Sequence, residues 1–173
     1  MQSPESQSIS VVVVSDFEGA EGKLWKDEEV MLEALAQQDF AEPFEVVLVE
    51  NEEFQNQVPK RLYEIFPNLR LLFTNEVKSA KLKDYGVKHT TSELVAVLEA
   101  DCPPNRQWLR VLVEAMRQNP DVAVVSGLTN YGNETMYKRV MSLLDRSWDD
   151  FGKSCYTPII SNNGALYKRE VLE

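Results

Sequence analysis

The chain has 173 residues, enough for one domain with a sizeable core. Hydrophobic residues make up 43% and charged residues 27%, ordinary proportions for a globular domain. Asp and Glu number 28 against 18 Lys and Arg, and the net charge of −10 argues against non-specific nucleic-acid or anionic-membrane binding, because the average field repels phosphate. A nucleotide ligand stays open, since a local lysine or a divalent cation overrides that average. No run reaches the roughly 18 apolar residues of a membrane span, so no membrane segment is expected. Residues 1–8 are polar, without the basic start and apolar stretch of a signal peptide, and read as a disordered lead-in to one domain over 9–173. Cys102 and Cys155 are too few for a disulfide framework and are not spaced as a zinc site. The expected compartment is the cytoplasm, with any membrane attachment left to a missing part of a longer protein.

Short apolar runs alternate with longer amphipathic ones. Residues 9–15 (ISVVVVS) are a β-branched run, read as a strand buried on both faces. Residues 27–38 follow as a helix, with Asp27 as N-cap and Val30, Met31, Ala34 and Leu35 inward. Residues 44–50 (FEVVLVE) form a second strand, 59–66 a short helix with Pro59 in its first turn, and 69–73 a third strand. The acidic pair Glu52 and Glu53 reads as a solvated loop. Residues 79–89 are a helix ending at His89, a favourable partner for the helix dipole. Residues 94–98 (LVAVL) are a fourth strand, apolar throughout. Asn105 is a candidate cap for a helix over 106–118, with Trp108, Leu109, Leu112 and Met116 inward. Residues 122–126 form a fifth strand, and Thr135 caps a helix running from 136 to about 151. Residues 158–160 and 165–167 read as short strands around the turn at 161–164.

Strands and helices alternating in this way imply a mostly parallel sheet covered on both faces, an α/β fold. In such sheets ligands sit outside the carboxyl ends of the strands. Those ends carry Ser15 and Asp16, Glu50, Thr74, Glu99 and Asp101, and Gly127. Glu99 and Asp101 are separated by one residue directly after a buried strand, and Pro103 and Pro104 stop the strand from continuing. Two carboxylates so placed can converge on one divalent cation, or on a cation and a ribose hydroxyl. Mg²⁺ or Mn²⁺ suits such oxygen ligands, with a substrate diphosphate completing the shell. Spacing alone leaves open the plainer reading, two acids that solvate a strand end.

Residues 93–109 (ELVAVLEADCPPNRQWL) resemble the D-x-D region of family 2 glycosyltransferases. Further segments follow in that family's order. SVVVVSDF at 10–17 is similar to its first strand and nucleotide loop, and FEVVLVENEE at 44–53 to its second strand. Lys83-Asp84-Tyr85-Gly86 stands at its basic helix, and NNGALYKREVL at 162–172 is similar to the segment closing the donor site. The resemblance implies a three-layer α/β/α sandwich of the GT-A (nucleotide-diphospho-sugar transferase) type. It implies that Phe17 stacks on the nucleobase, that Ser15 contacts it, and that Glu50 accepts a hydrogen bond from it, most often uracil. It implies that Lys83, or failing that Lys81, faces the diphosphate, that Glu99 reaches the ribose or a metal-bound water, and that Asp101 ligates Mn²⁺ or Mg²⁺. Asn162, Asn163 and Gly164 would close the donor site, although a plain turn is an equal reading. The implied reaction is inverting transfer from a nucleotide-sugar donor to an acceptor hydroxyl on a saccharide, lipid or protein.

Departures from the family pattern are visible. The first acid of the D-x-D element is Glu99, Cys102 stands where a third acid is frequent, and Asp16 and Glu18 add negative charge near the diphosphate. The family's catalytic base lies in a Glu-Asp element beyond the closing segment, and the sequence stops at Glu173 before one. Asp149 and Asp150 come too early to replace it and read as a polar helix end. The catalytic residue is therefore unassigned, and a non-catalytic nucleotide-diphosphate-binding or scaffold module of the same fold is the alternative. A receiver-like domain is set aside because Thr74 and Asn75 follow the third strand where a phosphoacceptor Asp would stand. A nucleotidyltransferase would need a basic Gly-rich loop after the first strand. Trp108 reads as core, as do Trp25 and Trp148 in preference to an acceptor groove. Lys168 and Arg169 are open to phosphate or to solvent.

Overall fold

The computed structural model of the chain describes residues 7–15, 25–129, 135–146 and 152–172. One sheet holds six strands: β1 (Ile9–Val14), β2 (Glu45–Asn51), β3 (Arg70–Thr74), β4 (Leu94–Glu99), β5 (Val124–Ser126) and β6 (Ala165–Lys168). Their order across the sheet is β3-β2-β1-β4-β6-β5. β1 to β4 run parallel, while β6 lies antiparallel between β4 and β5. The helices among the described residues are α1 (Lys26–Ala36), α2 (Lys60–Ile65), α3 (Ser79–Lys88), α4 (Trp108–Gln118) and α5 (Met136–Arg146).

The β-branched run of β1 decides the architecture. Val11, Val12, Val13 and Val14 are all fully buried, so both faces of the strand need a cover. Each such side chain contributes about 1.5–3 kcal/mol of burial free energy. Val11 and Val13 join Leu48, Ala96 and Leu98 in a core closed by Met31, Leu32 and Leu35 of α1, Leu62 of α2 and Leu109, Leu112 and Val113 of α4. Val12 and Val14 face the other way, with Val47, Val49, Val95 and Val97, under Leu82 and Val87 of α3. The result is the expected three-layer α/β/α sandwich. No helix among the described residues is long and apolar enough to cross a membrane.

Several local expectations are corrected. The inner stripe of α1 is Glu28, Met31, Leu32 and Leu35, whereas Val30 is 44% exposed. The helix leaves a left-handed Trp25 (φ 67°) and packs on α2 as well as on the sheet, which turns Leu32 inward. Asp27 lies within the first turn and does not cap it. Asn105 does not cap α4 either. Its Oδ1 accepts from the Gln107 amide at 2.9 Å in a turn before the helix, and Gln38 Oε1 accepts from the Leu109 amide at 3.0 Å instead. Residues 158–160 are not a strand. The Thr157 hydroxyl accepts from the Ile159 amide and donates to the Ile159 carbonyl, so those groups are closed locally and make no ladder. Glu52 and Glu53 open a 3₁₀ turn, Glu52–Gln57, capped by Asn51 Oδ1 accepting from the Glu53 amide at 3.0 Å. Thr135 does cap α5, its hydroxyl accepting from the Lys138 amide at 3.2 Å. The expected continuation of that helix past 146, with Trp148, Asp149 and Asp150, lies outside the described residues.

Gly86 lets α3 lie directly on the sheet. A Cβ there would meet Val12 Cγ1 in hard overlap and Val49 Cγ2 at 2.8 Å. Overpacking of this kind costs about 1–3 kcal/mol, more than the helix-propensity gain of up to about 1 kcal/mol from Gly to Ala. Gly86→Ala is therefore expected to lower the urea midpoint of unfolding without changing the m-value. A midpoint equal to or above that of the parent protein would contradict the close approach.

Candidate functional site

β1 connects to β2 on one side and pairs with β4 on the other, so the sheet switches direction between β1 and β4. A crevice opens beyond the carboxyl ends of the strands at such a point. Ser15 follows β1 there, its amide donating to the Val49 carbonyl at 3.2 Å, and Ala100 follows β4, its amide donating to Val14 at 2.9 Å. The structure brings Ser15 and Glu50 together. The Ser15 hydroxyl donates to Glu50 Oε1 at 2.8 Å, and the Asn51 amide donates to the same oxygen at 2.6 Å. Glu50 is only 3% exposed. Burial raises its carboxyl above the usual range, and those two bonds partly offset the rise. Asp16 and Phe17, the expected nucleobase contact, lie outside the described residues.

Glu99 is the junction of the second cluster. Its Oε1 accepts from Lys83 Nζ at 2.7 Å and from the Ser79 hydroxyl at 2.9 Å. Its Oε2 accepts from Asn163 Nδ2 at 3.1 Å, while its own amide donates to Asn163 Oδ1 at 3.0 Å. Lys83 and Ser79 come from α3, held on the sheet by the close approach at Gly86. Asn163 is buried, and Asn162 Oδ1 stands 3.5 Å from Lys83 Nζ. Gly164 has φ 76°, a left-handed value that favours glycine, and its amide donates to the Val97 carbonyl at 2.9 Å. Trp108 Nε1 donates to the Gly164 carbonyl at 3.2 Å, so this core tryptophan also fixes the turn. Thus Lys83, Glu99, Asn162 and Asn163 meet in one cluster. Neither Ser79 nor the two-way bond of Asn163 to Glu99 was signalled by the sequence, because one depends on where α3 lies on the sheet and the other on β6 pairing with β4.

Asp101 is exposed and Cys102 half-buried, just past that cluster. Glu99, Asp101 and Cys102 each offer a ligand atom, and these atoms lie within 4.8 Å of one another. The Cys102 thiol is pushed up to about 11 by burial, then by the charge of Asp101. A thiol is a soft donor that suits Mg²⁺ or Mn²⁺ poorly, so the two carboxylates are the donors for a hard cation. A hard cation such as Mg²⁺ or Mn²⁺ fits that set, with further oxygens from outside the protein.

Other candidates fall elsewhere. Lys168 pairs with Leu94 at the amino end of β4, and Arg169 donates to the Ser92 carbonyl and Thr90 hydroxyl. They lie at the amino ends of the parallel strands, the opposite end of the sheet from Glu99. His89 closes α3, its Nδ1 2.7 Å from the Tyr85 carbonyl and its ring against that of Tyr85. Trp25 belongs to the core.

A buried acid was missed. Glu28, 7% exposed in the first turn of α1, feels the charge of Glu50. Burial is the main cause that pushes its carboxyl from 4.5 to about 7, with Glu50 adding to it. Between those values the folded chain holds a proton that the unfolded chain has released, so this group's contribution to stability falls as pH rises through that window. Glu28→Gln keeps the shape of the protonated acid. It is expected to raise stability at pH 8 by on the order of 3 kcal/mol and to leave it nearly unchanged at pH 4. Urea unfolding of both proteins at the two pH values checks this, and an equal gain at both would contradict it.

The glycosyl transferase family 2 description matches residues 26–173. Among solved structures, the chain is similar to a mannosyltransferase, PcManGT from Pyrobaculum calidifontis, in complex with GDP-Man and Mn²⁺. The TM-score is 0.67 at 23% identity, over 98% of this chain and 46% of that one. It is also similar to TarS 1–349 of S. aureus in complex with UDP (TM-score 0.59, 20% identity, 96% of this chain and 48% of that one). The complex of the same TarS fragment with UDP-GlcNAc aligns at TM-score 0.58 and 17% identity, over 96% and 46% of the two chains. The chain thus spans about half the length of these solved relatives. No curated protein sequence matches it. The fold is of the GT-A type, and the chain belongs to glycosyl transferase family 2.

Proposed function

We propose that this chain is the donor-binding portion of an inverting, metal-dependent glycosyltransferase that uses a nucleoside-diphosphate sugar, with UDP as the nucleotide. The observation that carries the reading is the pairing of Lys83 with Glu99 at the end of β4, with a ligand atom of Asp101 close by, while Glu50 stands at the carboxyl end of β2. Complexes of similar proteins with GDP-Man and Mn²⁺, with UDP and with UDP-GlcNAc support it. Glu50, oriented by Ser15 and the Asn51 amide, presents its remaining acceptor capacity to the base. Phe17 supplies the stacking face. Asp101 and Glu99 would hold the cation, Mn²⁺ or Mg²⁺, which would supply neutralising charge to the leaving diphosphate. Lys83 adds a positive charge on the same side. Asn162, Asn163 and Gly164 form the wall beyond Glu99. The acceptor hydroxyl attacks the anomeric carbon opposite the leaving diphosphate, and a carboxylate removes its proton.

The alternative reading is a module of this fold that binds a nucleoside diphosphate without transferring sugar. Turnover of a nucleotide sugar by this chain alone decides between them.

Donor binding has its own test. Calorimetry is expected to show UDP binding in the presence of Mn²⁺ and none without it. Asp101→Ala is expected to weaken that binding at least about tenfold, roughly 1.4 kcal/mol. Its side chain is exposed, so the thermal midpoint should stay put. Equal binding by both proteins, or none by either, would overturn the site assignment.

A further inference from the structure

Two positive groups compete for one carboxylate. Glu99 Oε1 already receives Lys83 Nζ at 2.7 Å, and Glu99 Oε2 already receives Asn163 Nδ2 at 3.1 Å. Glu99 also has a ligand atom within 4.8 Å of those of Asp101 and Cys102. The Lys83 side chain is 10% exposed, so its ammonium cannot simply drift into bulk water. The same ammonium also reaches Asn162 Oδ1, at the long distance of 3.5 Å. A divalent cation that enters alone therefore meets a neutralised carboxylate with a fixed positive charge beside it.

We infer that Lys83 is the resident counter-ion of Glu99, that it keeps free divalent cations out, and that the metal loads only as a metal–nucleoside-diphosphate complex. This rests on the donor-site reading above. With Lys83 in place, the trio of Lys83, Glu99 and Asp101 carries one net negative charge, and without it two. An arriving diphosphate supplies anionic oxygens to which the ammonium transfers. Glu99 then has an oxygen for the cation, or for a water on it, that it lacked before. Lys83 thus acts as a positioning residue that sets the order of binding, in addition to contacting the diphosphate.

The inference requires opposite signs for two affinities. Mn²⁺ binding is read from the loss of the free-ion electron paramagnetic resonance signal, with and without UDP. The parent protein is expected to take up little Mn²⁺ until UDP is added, then to take it up in step with UDP. Removing a unit positive charge some 6 Å from a divalent ion at water's permittivity is worth about tenfold in affinity. Lys83→Met is expected to bind nucleotide-free Mn²⁺ at least about tenfold tighter while binding Mn²⁺–UDP more weakly. Lys83→Arg, which keeps the charge, is expected to preserve the parent order. If the parent binds Mn²⁺ equally well with and without UDP, or Lys83→Met gains no affinity for the free ion, the counter-ion role is overturned and the donor site stands. If the parent binds Mn²⁺–UDP not at all, both fall. The parent titration does not depend on the folding of any variant.

Discussion

The pairing of β1 with β4 sets Val14 opposite Glu99, and most of the site follows from that register. It puts Ser15 and Ala100 side by side at the mouth of the crevice. It leaves Glu99 pointing across the strand ends, where α3 and the turn before β6 can both reach it. A shift of one residue would turn every valine of β1 to the opposite face and exchange the two cores. The two-sided burial of β1 makes such a shift costly, so the packing of the interior also fixes the geometry of the acids at its edge.

The site concentrates negative charge in a molecule that already has a surplus of it. Each acid is managed differently. Glu50 and Glu28 are both buried, and Glu28 is raised to about 7 by burial first, with the charge of Glu50 adding to it. Glu99 is offset by Lys83 and by neutral donors from Ser79 and Asn163. Asp101 stays exposed. These four acids therefore sit in three environments and differ in burial and in the partners each already has.

Much of this was legible from local pattern. The runs of β1, β2 and β4 are apolar on both faces, which only a covered sheet accommodates, and the acids that end them mark the crevice. Ser15, Glu50 and Glu99 follow from strand ends, which are one-dimensional features, whereas Lys83 and Asn163 were candidates only through the resemblance to the family. What escaped depends on contacts between distant segments. Gln38, at the end of α1, caps α4, so Asn105 is left to a turn. Leu32 of α1 faces the core shared with Leu62 of α2, and Val30 stays at the surface. Lys168 and Arg169 follow two asparagines of the site in sequence. The antiparallel course of β6 carries them to the amino ends of the parallel strands, away from the acids.

The turn at Gly164 is held from three sides: its amide by Val97, and its carbonyl by Trp108 and by the Gly127 amide at 3.3 Å. These partners come from β4, α4 and the end of β5, elements that differ widely in sequence position. The wall beyond Glu99 is thus part of the rigid frame of the domain. A ligand that settles against it orders little backbone on arrival, so the entropy cost of shaping that side of the crevice falls on folding and not on binding.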